Sequence, residues 1–119
     1  MTQNIFWIFE ITIKEGQLDN MKRLMLEMVE STEANEKGTM AYEWTISEDN
    51  KKCHIHERYV DSEATLTHLA TFSSQYAAKL METGDATSFI VYGNPNDVVK
   101  KILDGFSAVY MVPIGGFIR

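Results

Sequence analysis

The chain has 119 residues, a formal net charge of −6, and 45% hydrophobic and 24% charged residues. This composition is typical of a globular protein, and we predict a single domain over residues 1–119. The acidic balance argues against a nucleic-acid partner, because binding to phosphates requires many cationic side chains. No apolar run approaches the about 18 residues that a membrane span needs, so we expect no membrane association.

The N-terminus and the cysteine content bear on localisation. The first 16 residues have no basic region, and Glu10 interrupts their apolar run, which is unlike a signal peptide. Cys53 is the single cysteine of the sequence and cannot pair within the chain. A reducing compartment suits such a chain, and we therefore expect a cytoplasmic protein.

The first half of the chain predicts a strand, a helix and a hairpin. Apolar residues at every second position predict a strand over residues 4–13, and apolar residues three and four apart predict a helix over residues 17–37, stopped by Gly38. Alternation returns at residues 40–46 and 52–60. Asp49-Asn50 between these two strands predicts a tight turn.

The next elements complete a known unit. Asp61 or Ser62 begins a second helix, which we expect to be interrupted near residues 73–74 and stopped by Gly84. A fourth strand is predicted over residues 88–92. The order β-α-β-β-α-β is the ferredoxin-like unit, so we predict an α+β fold with an antiparallel sheet.

Residues 94–119 form a C-terminal extension of that unit. Asn94-Pro95 predicts the cap and first position of a short helix that runs to about residue 105. Residues 108–114 predict a fifth strand. We expect this C-terminal extension to pack on the same domain or on a partner subunit.

The predicted hairpin assigns side chains to two faces of the sheet. A two-residue loop at Asp49-Asn50 places on one face the facing pairs Met40–Tyr59, Tyr42–Glu57 and Trp44–Ile55. The other face carries Glu43, His54, His56 and Arg58. The first face is apolar and aromatic, and it should meet the helices.

His54 and His56 on the polar face raise the question of a metal site. With Glu43 they could provide three ligands, but a zinc or iron site needs close geometry and further residues that orient the ligands. The glycines and the more widely spaced glutamate of a cupin motif are also missing from the sequence. We interpret these residues as cross-strand pairs of a half-exposed sheet and predict no metal.

Glu57 lies on the apolar face, where a carboxylate needs a partner or takes up a proton. In one interpretation it is a structural residue that accepts a hydrogen bond from a tyrosine hydroxyl or a backbone amide. In the other it lines a pocket and handles a proton there. The sequence leaves both interpretations open.

His68 is the third candidate residue. It lies at the margin of the apolar stripe of the second helix, four residues before Phe72 and eight before Tyr76. A lone helical histidine is commonly a surface residue. Beside an aromatic cavity it would be a side chain that titrates near neutral pH.

The segment from Glu36 to Phe72 resembles the antibiotic biosynthesis monooxygenase family. The matching features are Gly38 before a strand, the run Tyr42-Glu43-Trp44, Glu57 with an aromatic residue two positions later, Asp61 with Ala64, and His68. With the first strand and the Gly16 turn, the resemblance covers roughly residues 4–93.

The resemblance implies a dimeric α+β barrel that oxidises phenolic or quinol substrates with O₂, without a cofactor. A bound phenol would lose its proton and reduce O₂ directly in a dry aromatic slot. His68 and Glu57 would handle the proton. The implied substrate-binding walls are Trp7, Tyr42, Trp44, Tyr59, Phe72 and Tyr76.

Two alternatives accompany that reading. Haem-degrading relatives use an asparagine on the first strand and a tryptophan before the second helix, but the corresponding positions hold Phe9 and the pair Arg58-Tyr59, which disfavours haem degradation. The other alternative is a non-catalytic dimeric protein that binds a flat aromatic ligand. The resemblance also implies a homodimer in which the polar sheet face is half buried between subunits.

Overall fold

The computed structural model describes residues 2–119. Its strands are β1 (Ile5–Ile13), β2 (Thr39–Ile46), β3 (Lys52–Tyr59), β4 (Gly84–Tyr92) and β5 (Val109–Met111). Its α-helices are α1 (Leu18–Asn35), α2 (Ser62–Thr71), α3 (Ala77–Thr83) and α4 (Asp97–Asp104). No helix within residues 2–119 is long and apolar enough to cross a lipid bilayer.

The five strands form one sheet in the order β2-β3-β1-β4-β5. Strands β1 to β4 pair antiparallel, and β5 adds to β4 in parallel. This arrangement confirms the predicted α+β ferredoxin-like fold. The added parallel edge strand makes the sheet mixed rather than purely antiparallel.

The core lies on one face of the sheet, under the helices. On β1 every second side chain from Ile5 to Ile11 is buried, and the intervening ones are half-buried. Burial of alternate residues is expected for a strand with one face in the core. The inner face of β3 carries Ile55, Glu57 and Tyr59, so a carboxylate lies within an otherwise apolar layer.

The register of the hairpin is largely as predicted. Tyr42 pairs with Glu57, and Trp44 pairs with Ile55. The predicted pair of Met40 with Tyr59 is wrong, because the register shifts between Thr39 and Ala41 and Thr39 faces Tyr59 instead. The shift turns Met40 outward, where it is 56% exposed.

Three other boundaries differ from the prediction. β5 ends at Met111, three residues before the predicted end at residue 114. β4 begins at Gly84, four residues before the predicted start, because residues 84–86 continue the ladder with β1 past a register shift at Glu10/Ile11. The cap of α4 is Asn96 and not Asn94: its side chain accepts a hydrogen bond from the backbone N–H of Val99. The helix therefore starts two residues later than the Asn94-Pro95 signal predicted.

The predicted interruption of the second helix is a π-helical segment, Phe72–Tyr76, between α2 and α3. In such a segment the backbone hydrogen bonds span one extra residue, which changes the direction in which side chains point. Insertions of this kind are frequent at functional sites. Here Phe72 begins the segment and follows His68 by one turn.

Candidate functional site

Three buried ionisable side chains from three elements meet beneath α2. His68 on α2 contacts Glu36 Oε1 through Nδ1 at 2.8 Å and Glu57 Oε1 through Nε2 at 3.0 Å. His68, Glu36 and Glu57 are 5%, 7% and 6% exposed. We call these residues the Glu–His–Glu triad. Both imidazole nitrogens face carboxylates, so the ring is held in a fixed orientation and both N–H groups can donate.

Close packing of backbones brings Glu36 to His68. Glu36 directly follows α1, and Gly38 two residues later lies against α2, where a Cβ atom would come within 2.5 Å of Ala64 Cβ. The start of α2 is fixed by Asp61, whose side chain accepts a hydrogen bond from the N–H of Ala64 at 2.9 Å. A glycine at position 38 therefore allows the end of α1 to approach the helix that carries His68.

Two hydroxyl groups complete the hydrogen bonding of the carboxylates. Thr39 Oγ1 donates to Glu36 Oε1 at 2.9 Å, and the Tyr59 hydroxyl donates to Glu57 Oε1 at 2.5 Å. A tyrosine hydroxyl is one of the two partners that were predicted for Glu57 as a structural residue. Tyr59 and His68 both contact Oε1, so the second oxygen of Glu57, Oε2, is engaged by neither.

The triad keeps His68 positively charged at neutral pH. Burial alone lowers the pKa of His68, but hydrogen bonds to Glu36 and Glu57 and the charges of both carboxylates outweigh this effect and raise the pKa to about 9. His68 is therefore an imidazolium at pH 7, and both of its N–H groups donate to carboxylates. In that state neither of its nitrogens is a free base.

Tyrosine hydroxyls beside the triad stay protonated. Burial, followed by the nearby charges of Glu57 and Glu36, raises the pKa of Tyr42 well above its usual value. Burial and the Glu57 charge raise the pKa of Tyr59 in the same direction. Both phenols are therefore neutral donors, and Glu57 is the pocket-lining carboxylate through which a proton could be removed from a ligand.

The triad borders a cavity of about 30 Å³ that is almost entirely aromatic or apolar. We call it the aromatic cavity; its walls are Trp7, Phe9, Tyr42, Ile55, Glu57, His68, Leu69, Phe72, Phe89 and Phe106. His68 packs between rings, with Phe72 nearly parallel to it at 6.2 Å and Tyr42 edge-on at 5.6 Å. The polar groups that reach the cavity come chiefly from Glu57, His68 and Tyr42, while Glu36 lies behind His68 and outside the lining.

The structure places the sequence-predicted site residues in two groups. His68, Glu57, Trp7, Tyr42 and Phe72 line the aromatic cavity. Trp44, Tyr59 and Tyr76 are not among its lining residues. Tyr59 is fully buried against Trp7, with ring centroids 4.9 Å apart, and Trp44 packs edge-on against Tyr42 at 6.0 Å.

Sequence reasoning missed Glu36 and the phenylalanines at positions 9, 89 and 106. Glu36 is separated from His68 by 32 residues, and only the backbone contact at Gly38 brings them together. Phe9 and Phe89 belong to strands that were predicted, and their parity could have placed them on the inner face. Phe106 follows α4, in a segment where no periodic pattern of apolar residues predicts which way its side chain points.

His54 and His56 lie on the outer face of the sheet, as the alternation predicts. His54 Nε2 contacts Glu10 Oε1 at 3.0 Å, and His56 Nε2 lies 3.3 Å from Thr45 Oγ1. Glu10 also accepts a hydrogen bond from Thr87 Oγ1 at 2.7 Å. Within the described part of the chain, no three histidine, cysteine or acidic side chains gather into a group suited to a metal ion.

Similar folds occur in several solved structures. MupZ from Pseudomonas fluorescens superposes with a TM-score of 0.87 at 18% identity, over 99% of this chain and 96% of its own. A conserved protein from Methanosarcina mazei Go1 gives 0.68 at 16% identity, over 78% of this chain and 94% of its own. SnoaB, a cofactor-independent oxygenase from Streptomyces nogalater, gives 0.67 at 11% identity, over 82% of this chain and 98% of its own.

At these identities the likeness shows the fold alone. No curated protein matches the sequence. The sequence pattern of the antibiotic biosynthesis monooxygenase family, however, matches residues 4–80, which is more than half of the chain. This stretch contains β1, the whole Glu–His–Glu triad and the π-helical segment. The chain therefore belongs to the antibiotic biosynthesis monooxygenase family.

Proposed function

We propose that the protein is a cofactor-independent monooxygenase that oxidises a small phenolic or quinol substrate with O₂. The observation that carries the proposal is the contact between Glu57 and His68, two ionisable residues that both line the aromatic cavity. Apolar walls exclude water, which strengthens electrostatic effects on a bound ligand. Membership of the monooxygenase family supports the same reaction class.

In the proposed reaction Glu57 is the base and His68 the cation that stabilises the product of deprotonation. The phenol proton passes to Oε2 of Glu57, the oxygen that neither His68 nor Tyr59 contacts. Once Glu57 is protonated it no longer offsets the positive charge of His68, and the imidazolium then stabilises the phenolate electrostatically. Glu36 holds the other side of the ring and keeps it protonated.

The electron-rich phenolate then reduces O₂ without help from a metal or flavin. A 1-naphthol, for example, loses four electrons and becomes the 1,4-naphthoquinone. One oxygen atom becomes the new carbonyl oxygen at C4, and the other leaves as water with the C4 hydrogen and the phenol proton that Glu57 had taken up. The protein contributes positioning, a dry site and proton transfer, which are effects that enzymes use to lower barriers.

A second candidate is a dimeric protein that binds a flat aromatic ligand without chemistry. The observation that favours it is that both ring nitrogens of His68 face carboxylates, which leaves no free imidazole nitrogen to act as a base. In this case Glu57 would accept a hydrogen bond from a hydroxyl-bearing ligand. The two candidates differ in whether the ligand is changed, which product analysis can decide.

The experiment that tests the proposal is incubation of metal-stripped protein with 1-naphthols under ¹⁸O₂, followed by mass spectrometry of the naphthoquinone product. A monooxygenase places one labelled atom in the product, and Glu57→Gln should reduce that product well below the wild-type amount. Tight binding of the same compounds with no labelled product would favour the binding protein. A control with Glu63→Gln, the same change at an exposed residue of α2, should retain wild-type labelling.

We also propose that the chain acts as a single-domain, cytoplasmic homodimer that associates through the outer face of the sheet. That face carries stacked aromatic rings, Phe6 and Tyr92, with centroids 4.9 Å apart, and the Arg58 guanidinium lies 4.1 Å from the Phe6 centroid. A half-apolar sheet face of this kind is suited to burial in a subunit interface. Light scattering at micromolar concentration would contradict the dimer if it gave a monomeric mass.

A further inference from the structure

The aromatic cavity is too small for the ligands that its walls suit. Its volume is about 30 Å³, whereas an apolar protein cavity that admits benzene measures about 150 Å³. A single aromatic ring therefore cannot enter unless part of the wall moves. We propose that Phe106, together with Phe72, is the gate of the aromatic cavity, and that Phe106 sets the size of the aromatic ligand that is admitted.

Most of the wall is held too firmly to move. Trp7, Phe9, Ile55 and Phe89 are buried residues of central strands, and Leu69 is buried on α2. Moving them would disrupt close-packed core contacts, which is energetically costly. The opening must therefore involve the lining residues that also reach solvent.

Three lining residues are only half-buried: Tyr42, Phe72 and Phe106. Tyr42 belongs to β2, and its backbone pairs with that of Glu57 in the ladder. Phe72 begins the π-helical segment, and Phe106 lies in the turn after α4. Because the two phenylalanines lie outside the ladder, their side chains are freer to rotate than the side chain of a ladder residue.

Phe106 spans the opening between the helical layer and the sheet. Its ring centroid lies 6.3 Å from that of Phe72 on the helical side and 6.3 Å from that of Phe89 on β4. Phe72 in turn stacks on His68. The cavity is already partly open to solvent, and rotation of Phe106 away from both neighbours would widen that opening beside the imidazolium.

The turn that carries Phe106 is short and anchored at both ends. Before it, Leu103 of α4 is fully buried; after it, β5 pairs with β4. Ser107 has φ = 59°, a left-handed conformation that is costly for a residue other than glycine. Phe106 N also donates to Leu103 O at 2.9 Å, so the gate opens by rotation of the Phe106 side chain while the turn stays in place.

The gate gives the C-terminal extension a role at the site. Phe106 lies outside residues 4–80, the part of the chain that matches the family pattern. The extension is tied to α2, because Asn96 N donates to Ser62 Oγ at 3.0 Å. A change of the residue at position 106 can therefore alter which ligand is admitted without changing the triad.

This inference rests on the proposed function in one respect, namely that the ligand is aromatic. The test is stopped-flow binding of phenol, 1-naphthol and 2-anthrol, followed by the change in tryptophan emission, since Trp7 lines the cavity. Phe106→Ala should raise the association rate constant of 1-naphthol by at least about tenfold and admit 2-anthrol. Phe106→Trp should slow the association of 1-naphthol.

Phe117→Ala is the matched control, because it makes the same change in the same extension at a side chain that is 79% exposed and outside the cavity. It should bind phenol and 1-naphthol at the wild-type rates and, like the wild type, exclude 2-anthrol. Phe106→Leu serves if Phe106→Ala does not fold, as judged by circular dichroism, and should give a smaller increase in rate.

Two results would overturn the gate, and they differ in what they say of the proposed function. Equal rates and equal size selectivity in the wild type and the Phe106 variants would overturn the gate while leaving an aromatic ligand in place. Binding of no compound by any variant, although all are folded, would overturn the gate and the aromatic ligand together. The wild-type measurement alone distinguishes the two failures.

Discussion

His68 Nδ1 lies 2.8 Å from Glu36 Oε1, although 32 residues separate the two in the chain. Both are buried, and Glu57 occupies the other side of the same ring. A buried histidine between two carboxylates is stabilised as a cation. The charge state of this ring therefore links the stability of the fold to the chemistry of the cavity.

The first prediction concerns stability and pH. Because the pKa of His68 is raised to about 9 in the folded protein, against about 6.5 in an unfolded chain, its contribution is fully present below about pH 6.5. It is lost as pH rises through 9 and amounts to about 3 kcal/mol. Urea unfolding at pH 6 and at pH 9.5 should show this loss in the free energy of unfolding.

His68→Gln is the comparison for that experiment, because the amide cannot be protonated. The quantity to compare is the free energy of unfolding of the wild type minus that of His68→Gln. This difference should be smaller at pH 9.5 than at pH 6. If the stability of the wild type relative to His68→Gln instead rises between pH 6 and 9.5, folding does not raise the pKa of His68.

The second prediction isolates Glu36. Glu36→Gln retains a hydrogen-bond acceptor for Nδ1 but removes one of the two negative charges beside the ring. The pKa of His68 should fall by about one unit or more. NMR titration of the His68 ring nitrogens measures this directly, and Glu33→Gln on the exposed face of α1 is the matched control. An unchanged His68 pKa in Glu36→Gln would show that Glu36 does not hold the proton.

The third prediction concerns Gly38. Gly38→Ala places a Cβ atom 2.5 Å from Ala64 Cβ, so α2 must shift away from the end of α1. We expect a loss of about 1–3 kcal/mol in the free energy of unfolding. Gly115→Ala is the control, since no atom lies within 4 Å of its added Cβ.

A second substitution can separate steric overlap from other effects at Gly38. Ala64→Gly alone costs about 1 kcal/mol as a helical glycine, but combined with Gly38→Ala it removes the overlap. The double variant should therefore lose less stability than the sum of the two single variants. Strict additivity, measured by thermal or urea unfolding, would contradict a direct contact between the two positions.

Local patterns predicted the parts of the site that lie within regular strands. The alternation in the hairpin placed Glu57 opposite Tyr42 on the inner face, and this register is confirmed. The same rule failed at Met40, because a register shift inserts one residue into the ladder. Sequence alternation contains no signal for such a shift.

The contacts that complete the site depend on distances between elements. Glu36 follows the end of α1, and the neighbouring sequence predicts only that the helix stops there. Its contact with His68 depends on the close approach of Gly38 to Ala64. Phe106 reaches the cavity because α4 packs on α2 and turns the chain back toward β4. Neither packing arrangement has a local sequence signature.

The measurement that tests the central claim most directly is oxygen uptake by the metal-stripped protein, offered a panel of hydroquinones and naphthols, with autoxidation subtracted. We predict saturable uptake by the wild type and by Glu63→Gln, a change at an exposed residue of α2. Uptake should be reduced by about 100-fold or more in Glu57→Gln and His68→Ala that remain folded. Uptake that is no greater than autoxidation across the panel, or equal uptake in all four proteins, would contradict the assignment of Glu57 and His68 as the residues that activate the substrate.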